Sequence, residues 1–250
     1  MNTKGISFAV LLIALAFGAG VVLIAAFLWT ARRKGEAALI DLRLFQSDVF
    51  STVAVAQFLS NGAMFAGQML IPAFLIQTCG RAPGEMGWLL APLGIGMMVV
   101  NPLIGALIDR FGIRRVSAGG ALLALAATAP MLMLALRGLD LVVLVPALLM
   151  RGAGMGAVGL PGMAAAYASV DRSRLPMATT SLNVVQRLGG PALTTLCASF
   201  LAWQLGPQVA GPAASSAYVW AFALLCSLHA LTFLVAIRLP RTLGAATIRA

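Results

Sequence analysis

Charged residues are scarce in this sequence, and that scarcity excludes most classes of soluble protein. Only 10% of the 250 residues are charged, whereas 61% are hydrophobic and the mean hydropathy is +0.98. A soluble domain of this length cannot expose so apolar a composition to water. Several runs reach the roughly 20 apolar residues that a membrane-spanning helix needs, and the alternating segments of a transmembrane β-barrel are missing. The composition therefore predicts an all-α polytopic membrane protein.

Reactive side chains are also few. The three cysteines (Cys79, Cys197 and Cys226) are too far apart in sequence to indicate a disulfide framework or a metal site. The two lysines, Lys4 and Lys34, lie outside every predicted span, so no retinal Schiff base can form in the bundle. We find no motif for covalent catalysis, for a phosphate-cradling loop or for a cofactor. The expected protein is therefore not an enzyme and has no catalytic residue, cofactor or metal.

Carboxylates are missing from the middle of every predicted span. All the acidic residues lie in loops or at span ends: Glu36, Asp41, Asp48, Glu85, Asp109, Asp140 and Asp171. Two arginines, Arg151 and Arg187, are nevertheless predicted near mid-membrane, where a charge is costly and needs a partner. The single histidine, His229, is predicted to be a hydrogen-bonded packing residue. The pattern indicates that counter-charges for the arginines lie outside this chain.

Seven membrane spans are predicted, and the positive residues orient them. The predicted spans are about 7–29, 48–77, 85–108, 116–137, 141–169, 177–204 and 215–238. Most arginines fall in the loops 30–46, 109–115 and 170–176 and in the tail, whereas the other side has only Lys4, Arg81 and Arg137. Because positive residues collect in the cytoplasm, we expect the amino terminus outside and the carboxyl terminus inside. The net charge of +10 then describes a surface beside anionic lipid and not a nucleic-acid partner.

The most concentrated charge occurs in the stretch GALIDRFGIRR, residues 105–115. Gly105 would allow close approach of a neighbouring helix, and Gly112 would allow the tight reversal of a short loop. Basic neighbours would keep Asp109 charged, so the cluster could latch two helices in one state and release them in another. The alternative is an ordinary positive loop with a helix-capping aspartate.

Amide side chains mark two helix faces inside the predicted spans. Gln57, Asn61 and Gln68 recur along one face of the span 48–77, with Met64 beside them. Asn183, Gln186 and Arg187 share a face of the span 177–204 because residues three and four apart are neighbours on a helix. Such faces avoid lipid, so they line a wet cavity or act as hydrogen-bonded contacts between helices.

Small residues accompany these polar faces. Gly152 and Gly156 form a pair of the small-xxx-small type, which allows helices to pack closely. The run Gly189, Gly190 and Pro191 is expected to thin or kink the helix at that point. All five are therefore predicted helix-packing residues.

The charged stretch resembles motif A of the major facilitator superfamily. The matching positions are Gly105, Leu107, Asp109, Arg110, Gly112, Arg114 and Arg115. Arg151 resembles the fourth-helix arginine of that family, although glycine replaces the glutamine that often follows it. The segment QRLGG at 186–190 is similar to one found late in 14-helix drug:proton antiporters. The resemblance implies that Gln57, Asn61, Gln68, Arg151, Asn183, Gln186 and Arg187 serve the substrate cavity or coupling.

The order of spans resembles the carboxyl-terminal half of such an antiporter. Residues 1–46 would be a linker transmembrane helix and a basic amphipathic connector, and residues 47–250 a six-helix half. The resemblance implies efflux of apolar or cationic drug-like compounds against protons across the plasma (inner) membrane. It also implies an amino-terminal half as partner, without which the chain is inactive. The alternatives are a half for another solute (a sugar, peptide or metabolite) and a non-transporting membrane interaction protein.

Overall fold

The computed structural model describes residues 42–206 and 212–240, together with Gly20, Val22 and Ala26. Within these residues the chain is helical between short turns and contains no strand, as the composition predicts. The predicted span 7–29 and all but the end of the predicted 1–46 domain lie outside the described residues. The end of that segment, Leu42–Gln46, is a short 3₁₀ helix leading into the first long helix.

Six long helices follow in chain order, and each agrees with a predicted span to within three residues. They are α1 (Asp48–Gln77), α2 (Pro83–Phe111), α3 (Ile113–Arg137), α4 (Leu141–Ala168), α5 (Leu175–Leu205) and α6 (Pro212–Ala236). The connections are short, so consecutive helices run antiparallel. The described part is therefore a six-helix polytopic membrane unit.

One predicted span needs correction. Five of the described helices are long and apolar enough to cross a membrane, but α5 does not meet the apolarity of the other five. Its 31 residues give ample length. Its mean hydropathy is lowered by four threonines and by the three polar residues of its predicted face, Asn183, Gln186 and Arg187. The helix at 177–204 is confirmed, but hydropathy alone does not mark it as a span.

Local sequence explains where the helices begin and end. Ser47 caps α1 by accepting a hydrogen bond from the backbone N–H of Phe50 at 3.5 Å. Gly112 is the only residue between α2 and α3 and has a φ of 79°, a conformation that residues with a Cβ rarely adopt. Asp140 caps α4 through the N–H of Val142 at 2.9 Å. These residues convert a continuous apolar sequence into separate antiparallel helices.

Helix α4 occupies a central position in the packing. It packs along α3 and α2 and also contacts α1, while α1 packs along α5 and α6. The larger buried cluster includes Phe74, Tyr218 and Phe222, whose rings meet edge to face or tilted. This arrangement brings α1, α2, α4 and α5 around one space near the middle of the bundle.

Helix α2 differs from its neighbours in two ways. It is interrupted by a 3₁₀ segment, Asn101–Leu103, because Pro102 lacks the N–H that would continue the α-helical ladder. Only 17% of its most apolar stretch is buried, compared with 56% for α4. Most of its outer face is therefore left uncovered by the other described helices.

Candidate functional site: a cavity lined by amides and methionines

A cavity of about 270 Å³ lies where α1, α2, α4 and α5 come together. Its lining combines polar side chains with unusually many thioethers. The polar residues are Gln57, Ser60, Asn61, Asn101 and Gln186, and the methionines are Met64, Met97, Met155 and Met163. No carboxylate, lysine or arginine is among the described residues that line it.

The amides of α1 are held by the backbones of the facing helices. The side-chain N–H of Gln57 donates to the carbonyl of Gly159 at 2.8 Å. The side chain of Asn61 donates to the backbone carbonyl of Gln186. Each bond uses an N–H group, and no hydrogen bond to the side-chain oxygen of either residue occurs within residues 42–206 and 212–240. The amides therefore bring fixed acceptor oxygens to the cavity wall.

The chemistry of this lining suits a bulky ligand that is apolar or positively charged. Carbonyl oxygens carry partial negative charge, and thioether sulfur is polarizable and conformationally adaptable. Methionine side chains can rearrange around ligands of different shape, which favours broad over narrow recognition. Because no carboxylate contributes to the described lining, a cation here would be stabilised by dipoles and not by a full counter-charge.

Three of the predicted cavity residues come together, and three others do not. Gln57, Asn61 and Gln186 line the same cavity. Gln68 and Arg187 are exposed and lie outside its lining. Asn183 donates to Thr179 on its own helix at 2.9 Å and also lies outside. Of the predicted face of α1, Gln57 and Asn61 thus line this cavity, whereas Gln68 lies beyond its end.

Arg151 is buried behind the cavity and not within its wall. Only 1% of its surface is exposed, and its guanidinium donates to the backbone carbonyl of Ala63 on α1 at 3.0 Å. Gly67, one turn further along α1, leaves the space that the guanidinium occupies. No carboxylate pairs with it among the described residues, and its Nε has no hydrogen-bond partner there. Arg151 therefore ties α4 to α1 beside the cavity.

His229 corrects one prediction. It is 2% exposed, as expected for a packing residue, but its Nε2 has no hydrogen-bond partner among the described residues. Together with Cys226 on the same helix it lies within electrostatic range of Arg151. His229 is therefore a buried packing residue near Arg151, but its Nε2 lacks the hydrogen bond expected from the sequence.

Several lining residues were missed by sequence reasoning. Asn101 begins the 3₁₀ interruption of α2, and Met97 precedes it by one turn. Met155 and Met163 lie on α4 among glycines. The available signal was an Asn-Pro pair inside a predicted span, since Pro102 marks a local break in the helix. Isolated methionines carry no comparable signal in such a sequence.

The charged stretch 105–115 forms the turn between α2 and α3 without an internal latch. Asp109 is exposed and has no ion pair among the described residues. Arg114 donates from its Nε to the carbonyl of Leu239 after α6, and Arg110 lies over the ring of Phe111 at 5.3 Å. Arg115 and Leu107 line a separate groove. Of these charges only Arg114 thus contacts another element, and none of them pairs with another within the described residues.

The predicted packing glycines divide into those that meet a neighbouring backbone and those that meet a neighbouring side chain. A Cβ on Gly152 would overlap the backbone of Leu93, and one on Gly189 would overlap the backbone of Phe58, so both permit close helix approach. Gly156 and Gly190 instead accommodate the side chains of Asn101 and Phe65.

Two expectations for small residues were wrong. A Cβ on Gly105 would meet no described atom within 4 Å, so no described helix approaches it closely. Pro191 is exposed, and α5 continues through it to Leu205 without an interruption. Among the described residues no helix approaches this end of α2, because its outer face is uncovered, and the close contact of α5 with α1 is made by Gly189 in the middle of α5.

A bundle of six antiparallel helices, four of which line a cavity, defines a polytopic helical membrane protein. The chain belongs to the Major Facilitator Superfamily, whose sequence model matches it over residues 2–194 and, in a second overlapping match, 53–247.

The chain is similar to longer proteins of the same family. It is 29% identical over 186 residues to the multidrug resistance protein B homolog of Mycobacterium tuberculosis, covering 74% of this chain and 34% of that protein. It is 25% identical over 234 residues to a Yersinia pestis protein provisionally named multidrug resistance protein MdtD, covering 90% of this chain and 49% of that protein. An uncharacterized MFS-type transporter of Bacillus subtilis, YhcA, is 31% identical over 109 residues, 44% of this chain and 20% of that protein. The matched part of the chain thus spans between a fifth and a half of the length of these relatives.

Proposed function

We propose that this protein forms the carboxyl-terminal half of a multidrug efflux transporter that expels apolar or cationic compounds in exchange for protons. The observation that carries the proposal is the cavity lined by Gln57, Asn61, Asn101 and Gln186 together with four methionines. Such a lining supplies adaptable apolar surface with a few fixed acceptor oxygens, the combination that broad binding of lipophilic cations requires. The relatives from Mycobacterium tuberculosis and Yersinia pestis are named for multidrug resistance, which supports a multidrug substrate range.

The coupling groups are proposed to lie in an amino-terminal half. Proton exchange needs an intramembrane group that gains and loses a proton, most often a carboxylate. The described cavity has none, and the described spans carry the buried Arg151 without an acidic partner. An amino-terminal half would supply the opposing cavity wall and the carboxylates. Alternating access would then follow from rocking of the two halves about the cavity.

The charged turn at 105–115 is proposed to take part in that rocking. Its aspartate and two of its arginines are exposed at one end of α2 and α3. Because these charges do not pair with each other within the described residues, they are available to an element of the opposing half. We place this turn on the cytoplasmic side of the plasma (inner) membrane, with the amino terminus outside and the carboxyl terminus inside.

The cavity proposal is tested by an amide replacement with a matched control. Gln186→Leu removes a polar group from the cavity, whereas Gln68→Leu removes an exposed amide of α1 outside it. One lost hydrogen bond of about 1 kcal/mol predicts roughly a fivefold weaker apparent affinity for a lipophilic cation. Fluorescent-cation efflux from cells expressing this chain with an amino-terminal half provides the measurement.

The two variants give separable outcomes. We expect Gln186→Leu to raise the cation concentration for half-maximal efflux and Gln68→Leu to leave it unchanged. If the two variants need the same cation concentration for half-maximal efflux, the cavity does not bind the transported cation. Efflux of sugars, peptides or metabolites in place of cations would favour the alternative half for another solute.

A further inference from the structure

A second groove, separate from the amide cavity, lies between α2, α3 and α4. It has a volume of about 380 Å³ and is lined by apolar side chains and glycines with a single charged residue, Arg115. Leu107 and Phe111 contribute from α2, and Leu123 and Gly119 from α3. Its lining shares no residue with the amide cavity.

The groove extends from one end of α3 toward the membrane interior. Arg115 is in the first turn of α3, and Leu123 follows eight residues later, which is about 12 Å further along the helix axis. The remaining lining is almost wholly apolar. A channel of this kind inside a membrane-spanning unit offers water no hydrogen-bond partners along its depth, so hydrocarbon is its natural occupant.

The positive charge at the open end of the groove indicates which chemical group of the bound molecule would lie there. Arg115 is exposed and has no hydrogen bond or ion pair within residues 42–206 and 212–240. Arg110, exposed above the Phe111 ring, adds a second positive charge at the same end of the groove. Asp109 is the one carboxylate of this turn, so the turn stays net positive when Arg114 is included. The planar guanidinium of arginine can donate two parallel N–H bonds to two oxygens of one phosphate group.

We propose that this groove binds one molecule of an anionic phospholipid, with an acyl chain along Leu123 and Gly119 and the phosphate at Arg115. The combination of an apolar channel and an unpaired arginine at its mouth matches the two chemically different parts of such a lipid. Each arginine near an anionic membrane surface contributes roughly a fivefold gain in binding. The lipid would fill the space between α2 and the α3–α4 pair and so support the least covered helix of the unit.

Two substitutions separate the phosphate contact from the channel. Arg115→Gln removes the positive charge at the mouth, and Arg137→Gln removes an exposed arginine from the opposite end of the same helix as its control. Gly119→Leu places a side chain into the channel, where a Cβ meets no described atom within 4 Å. Gly94→Leu is its control, because Gly94 is equally open but lies on α2 outside the groove.

Native mass spectrometry of the full 250-residue chain tests the proposal. The probes are phosphatidylglycerol and phosphatidylcholine with identical acyl chains, added to the delipidated protein in detergent. We expect one phosphatidylglycerol to be retained about fivefold more strongly than phosphatidylcholine by the parent protein. Arg115→Gln should remove this preference, Gly119→Leu should weaken retention of both lipids, and the two controls should behave as the parent does.

Three results would overturn the proposal. The first is equal retention of the two lipids by the parent protein. The second is an Arg115→Gln protein indistinguishable from Arg137→Gln. The third is a dimer whose formation excludes both lipids, which would make the groove a contact between copies. Circular dichroism of each variant verifies that the helices are retained, and none of these readouts depends on transport activity.

Discussion

Arg151 shows how single residues shape the region around the cavity. Its guanidinium is fully buried, donates to the Ala63 carbonyl and occupies space left by the missing side chain of Gly67. A buried cation without a carboxylate is costly, so its persistence depends on this carbonyl and on the small residue beside it. The contact at Ala63 lies between Asn61 and Met64, which line the cavity, and so fixes the position of α1 there.

The Gly67→Ala substitution tests this arrangement. The added Cβ would overlap the guanidinium and push it away from Ala63, so we expect the free energy of unfolding to fall by about 1–3 kcal/mol. Gly105→Ala is the matched control, since a Cβ there meets no described atom. Its free energy of unfolding should stay level or rise by about 0.5–1 kcal/mol, because alanine favours a helix.

A double variant shows whether the effect acts through Arg151. In an Arg151→Met background the guanidinium is gone, so Gly67→Ala should cost much less than it does alone. Thermal unfolding in detergent micelles measures all four proteins of the cycle. An equal cost of Gly67→Ala in both backgrounds would show that the glycine is needed for another reason.

At the scale of elements, the two ends of α2 behave differently. Near its middle it packs tightly on α4, where Gly96 and Gly152 let the two backbones approach. Beyond the 3₁₀ break at Asn101–Leu103, the segment Ile104–Phe111 buries only Ile104 and ends in the charged turn. A helix that packs tightly on one side of a break and is uncovered beyond it can bend at the break, as the moving element of a conformational switch does.

Asp109→Asn tests the proposed role of that free end. Because Asp109 makes no ion pair among the described residues, the substitution should leave the melting temperature unchanged. Proton-linked drug efflux with the amino-terminal half present should fall about tenfold, the value of one charge-assisted contact. Asp171→Asn, an exposed carboxylate in another loop on the same side, should leave efflux unaffected. Unchanged efflux in the Asp109→Asn variant would show that Asp109 does not latch the two halves.

The sequence predicts elements better than it predicts what they surround. Helix positions follow from local signals: the long apolar runs, the capping residues Ser47 and Asp140, and the glycine between two helices, Gly112. The face of α1 carrying Gln57 and Asn61 was also predictable, because periodicity reveals which residues share a face. How far a cavity extends along that face depends on packing between distant helices. The structure was therefore needed to show that Gln68 lies outside the cavity and that Asn101 lines it.

At the scale of the whole molecule, the proposed orientation places the turn after α1 outside the cell. Cys79 lies in that turn, and burial raises the pKa of its thiol above the ordinary value, although Arg81 acts in the opposite direction. The thiolate is the reactive form, so a raised pKa slows labelling near neutral pH and labelling speeds up as the pH rises. Because the fold disfavours the thiolate, the free energy of unfolding is highest below the ordinary thiol pKa and falls as the pH rises through the folded-state value.

Cysteine labelling tests the orientation in a background with Cys197→Ala and Cys226→Ala. A membrane-impermeant maleimide added to intact cells at about pH 8.5, near the ordinary thiol pKa, should label Cys79. An Arg110→Cys variant that also carries Cys79→Ala should be labelled only after the membrane is permeabilised. The reverse pattern would invert the proposed topology.

The central claim is that this chain supplies one wall of a two-walled, proton-coupled drug transporter. The most direct measurement is uptake of a fluorescent lipophilic cation into inverted membrane vesicles under an imposed pH gradient. We expect no gradient-dependent uptake with the 250-residue chain alone. Co-expression with an amino-terminal half of the same family should produce uptake that collapses with the gradient. Proton-linked uptake by the 250 residues alone would contradict the account.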